Sequence, residues 1–390
     1  MIPTQTATAL GAIHLNTPAA LWFGCGERTR LAEGLQGLGS RKAWILTADF
    51  CIETADTLAT AFAECGIEAF IKSDLPAEPT VADFQAVCSE EPASVCDTII
   101  GIGGGSVLDI AKLVAAIGDQ PSRLPHYFGK NLLPERQRRL ICLPTTAGAG
   151  SEASPNAILL EPASGLKQAV ISPYLVPDLV VIDPELARSL PPAVTAATGF
   201  DALSHCIEAY TNLHAHVLVD AFALQGISLI SSQLVAAIKD GNDLIARSAL
   251  ALGSYLGGLC LGPVNTAAVH ALSYPVGSRY KVPHGLANAV LLAPVMRYNL
   301  PSATTRYAEV ARAMGVAHSG TDMEMAEAAV GHIQQMLRDC SLETGLGSLG
   351  IPSEALPELA DQALQVTRLL NNNPRPIDRA AAMSIYEEAF

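Results

Sequence analysis

The stretch "DTIIGIGGGSVLDIAK", residues 97–112, joins a short apolar run to a helical pattern through consecutive glycines. An apolar, β-branched run of this length predicts a buried strand, and the residues after the glycines have the apolar spacing of a helix. Glycines let a backbone approach a ligand closely, and a helix N-terminus offers free N–H groups and a positive dipole end. The stretch therefore predicts a strand, a turn and a helix, in which the turn either cradles a phosphate or is only a tight connection.

Further strand patterns occur in the first half of the chain and stop near residue 183. They are "AWILTA" (43–48), "RLICLP" (139–144) and "LVVID" (179–183), separated by helical patterns such as 54–65 and 106–117. Strands that alternate with helices predict a parallel sheet, and the later patterns are helical throughout. The sequence therefore predicts an α/β domain of residues 1–190 followed by an all-α domain of residues 191–390.

Composition limits the classes of protein to consider. The chain has 390 residues, of which 49% are hydrophobic and 16% charged, and its formal net charge is −14. A globular protein of this charge repels polyanions, so neither a nucleic acid nor an anionic membrane is an expected partner. The nine cysteines are scattered and never form a C-x-x-C pair, and the first residues lack the pattern of a secretory signal. These features predict a cytoplasmic protein with reduced thiols.

One stretch is apolar enough to be considered as a membrane span. Residues 248–278 contain no Asp, Glu, Lys or Arg, and this length would cross a bilayer. Several glycines and Pro263 interrupt the stretch and divide it into two shorter helices. We therefore expect a buried helical hairpin rather than a membrane span.

A second loop follows another predicted strand. In "LPTTAGAGSEAS", residues 143–154, hydroxyl and small side chains could bond phosphate or ribose. Neither this loop nor the glycine turn has the spacing of the G-x-G-x-x-G fingerprint or of a P-loop. Because both loops follow strands of the same predicted sheet, together they favour dinucleotide binding.

Four residues of the helical half could bind a metal. In "GFDALSHCIEAY", residues 199–210, Asp201 and His205 are spaced i, i+4 and lie on one helix face. His270 and His284 lie in the apolar stretches "NTAAVHALSYP" and "KVPHGLANAV". A single buried histidine is commonly a hydrogen-bonded core residue, whereas the four together offer a tetrahedral set of three nitrogens and one oxygen. Such a set suits Fe(II), Zn(II) or another first-row dication.

These motifs, with "DPELARSLPP" and the late "NNNPRPI", resemble the iron-containing, group III alcohol dehydrogenase family over nearly the whole chain. The resemblance implies an N-terminal α/β dinucleotide-binding domain with a parallel sheet, an all-α C-terminal domain that holds metal and substrate, and a homodimer. It implies that Asp201, His205, His270 and His284 bind the metal. The implied cofactor contacts are Gly103, Gly104, Gly105, Ser106, Asp109, Thr145, Thr146, Lys167 and Leu186.

The resemblance also implies a reaction. It is hydride transfer between NAD(P) and a small primary alcohol or aldehyde, with Fe²⁺, or Zn²⁺ or another divalent metal, lowering the pKa of the alcohol. The alternative is a metal- and NAD-dependent lyase resembling dehydroquinate synthase that acts on a sugar phosphate. Such lyases lack a ligand at the position of His205, and this chain has no lysine cluster for a substrate phosphate. A metal-binding protein without enzymatic activity would not need the two loops.

The chain departs from the family pattern at three positions. Tyr274 stands where many members have a histidine that helps to move the alcohol proton, so Tyr274 either relays that proton or packs structurally. Ala149 replaces a usual threonine. The acid that selects NAD aligns near Ala48, with Asp49 one position later. An acid there favours NAD, whereas alanine tolerates NADP, and we expect NAD.

Arg279 bears on the choice of substrate. In "SRYKVPHG", residues 278–285, Arg279 and Lys281 precede His284 at the edge of the charge-free stretch. Unpaired cations are costly there unless they reach solvent or an anion. Either both side chains project to the surface or to a carboxylate of the protein, or Arg279 binds a substrate carboxylate. The second hypothesis predicts a hydroxy acid and its semialdehyde, such as 4-hydroxybutyrate, as substrates.

Overall fold

The computed structural model describes residues 11–161, 166–317, 319–342 and 345–390. The chain forms two compact units. The first, Asn16–Ser189, contains every strand found in the described residues, and we call it the strand unit. The second, Leu190–Phe390 together with residues 11–15, contains only helices and loops among its described residues, and we call it the helical unit.

The strand unit contains a six-stranded parallel sheet with the order β1-β9-β6-β4-β2-β3 and a three-stranded sheet with the order β5-β8-β7. The strands are β1 (Ala20–Phe23), β2 (Lys42–Thr47), β3 (Glu68–Lys72), β4 (Thr98–Gly103), β5 (Gly129–Lys130), β6 (Arg139–Pro144), β7 (Asn156–Glu161), β8 (Leu166–Ile171) and β9 (Leu179–Ile182). The helices are α1 (Leu31–Gly37), α2 (Ile52–Glu64), α3 (Val81–Cys88), α4 (Pro92–Val95) and α5 (Gly105–Ile117).

The six-stranded sheet is buried on both faces because successive side chains of a strand point to opposite sides. Trp44 of β2 packs in one hydrophobic cluster, and its neighbour Ile45 packs in the other. Ile99 and Ile100 of β4 divide between the same two clusters. The predicted parallel α/β fold is confirmed, and all four predicted strands lie side by side in this sheet.

The strand order contains a point at which the chain changes direction across the sheet. From β2 the chain continues to β3 on one side, whereas β4 pairs with the other side of β2 and leads on to β6. Ligands of open α/β sheets bind outside the carboxyl ends of the strands at such a switch point. The loops after β2 and β4 are therefore the expected ligand loops of this sheet.

The helical unit contains nine α-helices and the short 3-10 helix Ser353–Ala355 in its described residues. The α-helices are α6 (Pro192–Thr211), α7 (Val217–Lys239), α8 (Leu244–Leu261), α9 (Ala268–Tyr280), α10 (His284–Ala313), α11 (Asp322–Asp339), α12 (Leu356–Ala363), α13 (Thr367–Leu370) and α14 (Arg379–Glu388). The charge-free stretch is divided between α8 and α9, as the glycines and Pro263 predict.

Two helices, α7 and α8, are long and apolar enough to cross a membrane by length and composition alone. Most of α8 is buried within the protein, and α7 and α8 pack against each other and against α6. Glycine permits this packing, because a Cβ at Gly226 would lie 2.5 Å from the Cys206 sulfur. Core helices of soluble proteins share this composition, so these two helices are weak evidence for a membrane protein.

Candidate active site

Three helices of the helical unit bring the four predicted metal donors together. Asp201 and His205 lie one turn apart on α6, His270 lies in the first turn of α9, and His284 is the first residue of α10. The start of α10 approaches α6 closely, since a Cβ at Gly285 would lie 2.7 Å from the carbonyl carbon of Ala197. This approach requires glycine and places His284 beside Asp201.

The donor atoms are spaced as a metal site requires. Asp201 Oδ1 lies 3.6 Å from His205 Nε2, 3.5 Å from His270 Nε2 and 3.7 Å from His284 Nε2. A tetrahedral ion with bonds of about 2.1 Å would separate its ligands by about 3.4 Å. The donors of Asp201, His270 and His284 all lie within 4.8 Å of one another. The carboxylate and these two imidazoles therefore fit a first-row dication, and His205 Nε2 approaches the same carboxylate oxygen.

The charge of Asp201 agrees with this role. The carboxyl is buried, and burial raises the pKa of an acid, but the positive charges of protonated His205, His284 and His270 and the hydrogen bond from His270 outweigh burial. They hold the pKa of Asp201 far below its usual range. The residue therefore stays an anion, which is the form that binds a cation.

Glu208 orients one of the imidazoles, a role that the sequence analysis did not assign. Its Oε2 lies 2.5 Å from His270 Nδ1, and its Oε1 accepts the backbone N–H of Val269 at 2.6 Å. Both side chains are buried. A carboxylate at Nδ1 keeps the proton on that nitrogen and leaves the Nε2 lone pair to point at the metal position. Glu208 follows His205 by three residues in the motif "GFDALSHCIEAY", a spacing that places both side chains on the same helix face. This spacing could have indicated that Glu208 supports the metal donors.

Asn288 is a second residue that the sequence analysis did not assign. It lies one turn after His284 on α10 and is fully buried. Its Nδ2 donates to Asp201 Oδ1 at 2.7 Å and lies 3.2 Å from Nε2 of both His270 and His284. The i, i+4 spacing from His284 would have pointed to Asn288 as well.

The two predicted catalytic residues have different environments. Tyr274 lies one turn after His270, and its ring centroid is 5.8 Å from that of His284. Burial raises the pKa of its phenol above 10, although a hydrogen bond and the charge of Arg368 oppose the rise. Arg279 is 39% exposed and forms an ion pair with Glu358 of α12. The structure thus brings Tyr274 beside a metal donor and gives Arg279 a protein carboxylate as its partner.

In the strand unit, predicted cofactor residues follow four neighbouring strands at the carboxyl edge of the parallel sheet. Asp49 follows β2 and is exposed, and Leu186 follows β9. Between them, Gly103 is the last residue of β4, Gly104, Gly105 and Ser106 come directly after it, and Thr145 and Thr146 follow β6.

The glycine turn is tightly packed. A Cβ at Gly103 would lie 2.7 Å from Val107, and a Cβ at Gly105 would lie 2.7 Å from Ala149 Cβ. Gly104 precedes α5 without a side-chain cap, so the first N–H groups of α5 remain available for an anion. The Thr145 N–H donates to Gly103 O at 3.0 Å and thereby joins the threonine loop to the turn.

The structure gives three predicted cofactor side chains partners within the protein. Both oxygens of Asp109 accept hydrogen bonds, one from Ser151 Oγ at 2.5 Å and one from the Ile158 N–H at 2.9 Å. The other two side chains are those of Ser106 and Lys167. The Ser106 hydroxyl donates to Ala77 O, and Lys167 forms an ion pair with Glu78 at 3.4 Å. These contacts hold the loops in position and were not visible in the sequence.

Buried Lys112 completes this support of the loops. Its ammonium group donates to Ser151 Oγ at 3.1 Å and to Asn156 O at 2.6 Å, and it lies 4.0 Å from Asp109. Lys112 is on α5, whereas Ser151 and Asn156 follow β6, so one side chain ties the glycine helix to the threonine loop. Glu152 is buried in the same loop.

We expect Glu152 to make stability depend on pH. Burial raises the pKa of this carboxyl from 4.5 to about 7, against smaller opposing effects of its backbone hydrogen bond and of Lys112. Because the folded state binds this proton more tightly than the unfolded state, the free energy of unfolding is highest below pH 4.5 and falls as the pH rises through about 7. In the wild type this decrease should be on the order of 3 kcal/mol, and in Glu152→Gln it should be absent.

Melting temperatures of wild type and Glu152→Gln across this pH range would test the expectation. Glu53→Gln, at an exposed position of α2, is the matched control and should follow the wild type. Parallel curves for wild type and Glu152→Gln would show that Glu152 ionises normally.

Two family descriptions match the chain. "Iron-containing alcohol dehydrogenase" matches residues 18–184, and "Fe-containing alcohol dehydrogenase family, C-terminal" matches residues 195–390. The first match covers the parallel sheet with both loops. The second covers all four predicted metal donors together with Glu208 and Asn288.

Individual proteins agree with these matches. Long-chain-alcohol dehydrogenase 1 of Geobacillus thermodenitrificans is 35% identical over 96% of this chain and 95% of its own length. A 1,3-propanediol oxidoreductase structure has a TM-score of 0.93 and 31% identity, covering 97% of this chain and all of that one. The sulfoacetaldehyde reductase of Bifidobacterium kashiwanohense, solved with NAD⁺, has a TM-score of 0.88 and 26% identity, covering 97% of this chain and 98% of that one. The sheet, its loops, the metal donors and the relatives all agree. The chain therefore belongs to the iron-containing alcohol dehydrogenase family and is an oxidoreductase, not a dehydroquinate synthase-like lyase.

Proposed function

We propose that this enzyme transfers hydride between NAD(H) and a small primary alcohol or aldehyde. The observation that carries the proposal is the convergence of Asp201 Oδ1 with the Nε2 atoms of His205, His270 and His284. These four residues would hold Fe²⁺, with Zn²⁺ or another divalent ion as the alternative. When bound, the ion acts as a Lewis acid that polarises an aldehyde and lowers the pKa of an alcohol.

The protein's own residues would bind and orient the cofactor. Backbone N–H groups at the start of α5 would bind the pyrophosphate, and Thr145 and Thr146 would line the same edge of the sheet. Asp49, at the switch point after β2, would repel a 2′-phosphate, which supports NAD over NADP. We assign Ser106, Asp109 and Lys167 to loop support, because their side chains have protein partners. Leu186 completes the proposed cofactor site.

We also propose a cytoplasmic homodimer of two domains divided near residue 190, without a nucleic acid or membrane partner. The net charge of −14 supports the absence of polyanionic partners. β1 is an edge strand of the sheet and exposes Leu21 and Phe23, and an edge of this kind is commonly covered by another chain. Light scattering would measure the oligomeric state, and a monomer at micromolar concentration would contradict the dimer.

A direct assay tests the function. Metal-free protein is loaded with ferrous iron and mixed with NADH and a panel of short aldehydes, and the loss of NADH absorbance is followed. We expect turnover with NADH above that with NADPH, and none after chelation. Turnover that is independent of both cofactor and metal, or none with any aldehyde or alcohol, would contradict the proposal.

We propose that Tyr274 passes the alcohol proton. The raised pKa keeps its phenol neutral at working pH, so the hydroxyl can donate and accept a hydrogen bond. Tyr274→Phe is expected to lower kcat by about 10²-fold and to flatten the alkaline limb of its pH profile. Tyr280→Phe, at a partly buried position of the same helix, serves as the control. An unchanged profile would assign Tyr274 a purely structural role.

The ion pair of Arg279 favours an uncharged substrate over a hydroxy acid. Because exposed ion pairs contribute little, Arg279→Met should change kcat/KM for both succinate semialdehyde and butanal by less than about threefold. Glu358→Gln should have the same effect, since it breaks the same pair. A selective loss of about 10- to 150-fold on the semialdehyde would instead show that Arg279 binds the substrate carboxylate, and would make 4-hydroxybutyrate the candidate substrate.

A further inference from the structure

A cavity of about 480 Å³ lies at the amino edge of the parallel sheet, where the chain enters the adjacent strands β2, β4, β6 and β9. Its charged lining consists of Arg41, Arg136, Arg138, Arg139, Asp97 and Asp178, and we call this cavity the arginine pocket. Arginines outnumber acids here, whereas the whole chain has 38 acidic and 24 basic residues. The arginine pocket is therefore a local site of positive charge on a protein of net negative charge.

The two aspartates of the pocket are engaged by the protein and leave most of this positive charge unneutralised. Asp178 accepts hydrogen bonds from both Nη atoms of Arg136, at 2.7 and 3.0 Å. Asp97 accepts the backbone N–H of Arg41 at 2.9 Å and the Thr98 hydroxyl at 2.7 Å, and both of these donors are neutral. One aspartate thus neutralises one arginine, and the other is stabilised by neutral groups.

The other three guanidinium groups have no carboxylate partner among the residues that the structure describes. Arg138 donates to Val114 O at 2.9 Å, and Arg139 donates to Ser40 Oγ at 2.8 Å. These contacts hold two guanidinium groups in position without neutralising them. The Arg41 side chain is exposed and has neither a hydrogen-bond nor an ion-pair partner in the described part of the chain.

The chemistry of the lining favours a phosphorylated ligand. A guanidinium group presents several N–H donors in a fixed plane, and this arrangement matches the oxygens of a phosphoryl group. Partly buried cations without a counter-ion are unfavourable, so a bound anion would stabilise Arg138 and Arg139. The volume of the pocket lies within the range of about 300–1,000 Å³ that is usual for small-molecule sites. These properties fit a small molecule with more than one phosphoryl group.

We propose that the arginine pocket binds a diphosphate, either inorganic pyrophosphate or the diphosphate group of a nucleotide. Arg41, Arg138 and Arg139 would bind its oxygens, while Arg136 stays paired with Asp178. The proposal goes beyond the proposed function and does not depend on it, because the cofactor loops lie at the opposite, carboxyl edge of the sheet. A strand of six residues, such as β4, spans about 20 Å, so this ligand and NAD(H) would bind at the same time.

Calorimetric titration of the wild-type enzyme with inorganic pyrophosphate tests the proposal. The titration is made at constant ionic strength and with saturating NADH, which occupies the cofactor site and prevents pyrophosphate from binding there. We expect one pyrophosphate per chain, and at least about 10-fold weaker binding of sulfate, which has a single tetrahedral group. ADP is titrated in parallel. Tighter binding of ADP than of pyrophosphate assigns the ligand to nucleotides, and equal or weaker binding assigns it to inorganic pyrophosphate.

Substitutions locate the binding site. Arg41→Gln should weaken pyrophosphate binding about 10-fold, and its melting temperature should equal that of the wild type because the side chain has no partner in the protein. Arg138→Gln should weaken binding to a similar extent. Lys130→Gln changes an exposed cation of β5 outside the pocket and should bind pyrophosphate as the wild type does. Pyrophosphate also binds metal ions, but all four proteins share the same metal site, so differences between them report on the pocket.

Three outcomes would overturn the arginine pocket as a diphosphate site. They are an absence of pyrophosphate binding to the NADH-saturated wild type, equal affinity in wild type and Arg41→Gln, and an equal loss of affinity in Lys130→Gln. Failure of the enzyme to turn over any aldehyde or alcohol would contradict the proposed function and leave the pocket unaffected, so the two proposals fail separately.

Discussion

His270→Ala is expected to abolish bound metal and turnover while NADH binding persists. His270 contributes one of three imidazoles, and its removal also leaves Glu208 buried without the ring that it contacts. Loss of a direct ligand should exceed the 10- to 100-fold loss of metal affinity that is typical for a supporting residue. The glycine and threonine loops belong to the strand unit and do not contain the substituted residue. Elemental analysis, NADH fluorescence and aldehyde turnover measure the three properties.

The control separates a lost ligand from a folding defect. His284→Ala removes a donor that is 32% exposed, whereas His270 is buried, so we expect the same loss of metal with less loss of stability. His332→Ala changes a histidine of α11 and should retain both metal and turnover. Wild-type turnover in His270→Ala with no detectable metal would refute the metal-dependent mechanism.

The sequence predicted the strands that are buried on both faces and missed those that are not. β2, β4, β6 and β9 are interior strands, and their apolar runs are continuous because helices cover both sides. β1 and β3 are the two edges of the sheet, and most of their residues are exposed or only partly buried. Without a continuous apolar run, such edge strands resemble loops.

Helix spacing predicted the metal donors on α6, but not the residues that support them. Glu208 resembles a solvated helix charge, and Asn288 resembles an isolated polar residue in an apolar helix. Their roles depend on His270 and Asp201, which lie 62 and 87 residues away in the chain. The partners of Asp109 are likewise distant, at Ser151 and Ile158. A sequence motif can identify such residues as candidates, but it cannot show whether a side chain contacts a ligand or another loop of the protein.

Glu208→Gln is expected to weaken metal binding by about 10- to 100-fold without removing any ligand. The carboxylate accepts from Val269 and His270, and its charge favours the orientation in which His270 Nε2 faces the metal. Glutamine has the same shape but no charge, and its amide has one acceptor oxygen instead of two. Competition with a chelator of known affinity measures the change. Glu358→Gln, an exposed acid of α12, is the matched control and should bind metal as the wild type does.

The same substitution should change how the stability of the metal-free protein depends on pH. Burial lowers the pKa of His270, but the charges of Glu208 and Asp201 outweigh it and raise the pKa from 6.5 to about 9. A raised pKa in the folded state adds stability that is complete below pH 6.5 and is lost as the pH rises through about 9. In Glu208→Gln the charge that contributes most to the rise is absent, so the melting temperature should be lower at neutral pH and should fall less toward pH 9. If metal affinity and pH dependence both match the wild type, Glu208 does not orient His270, and the backbone of α9 alone must hold the ring.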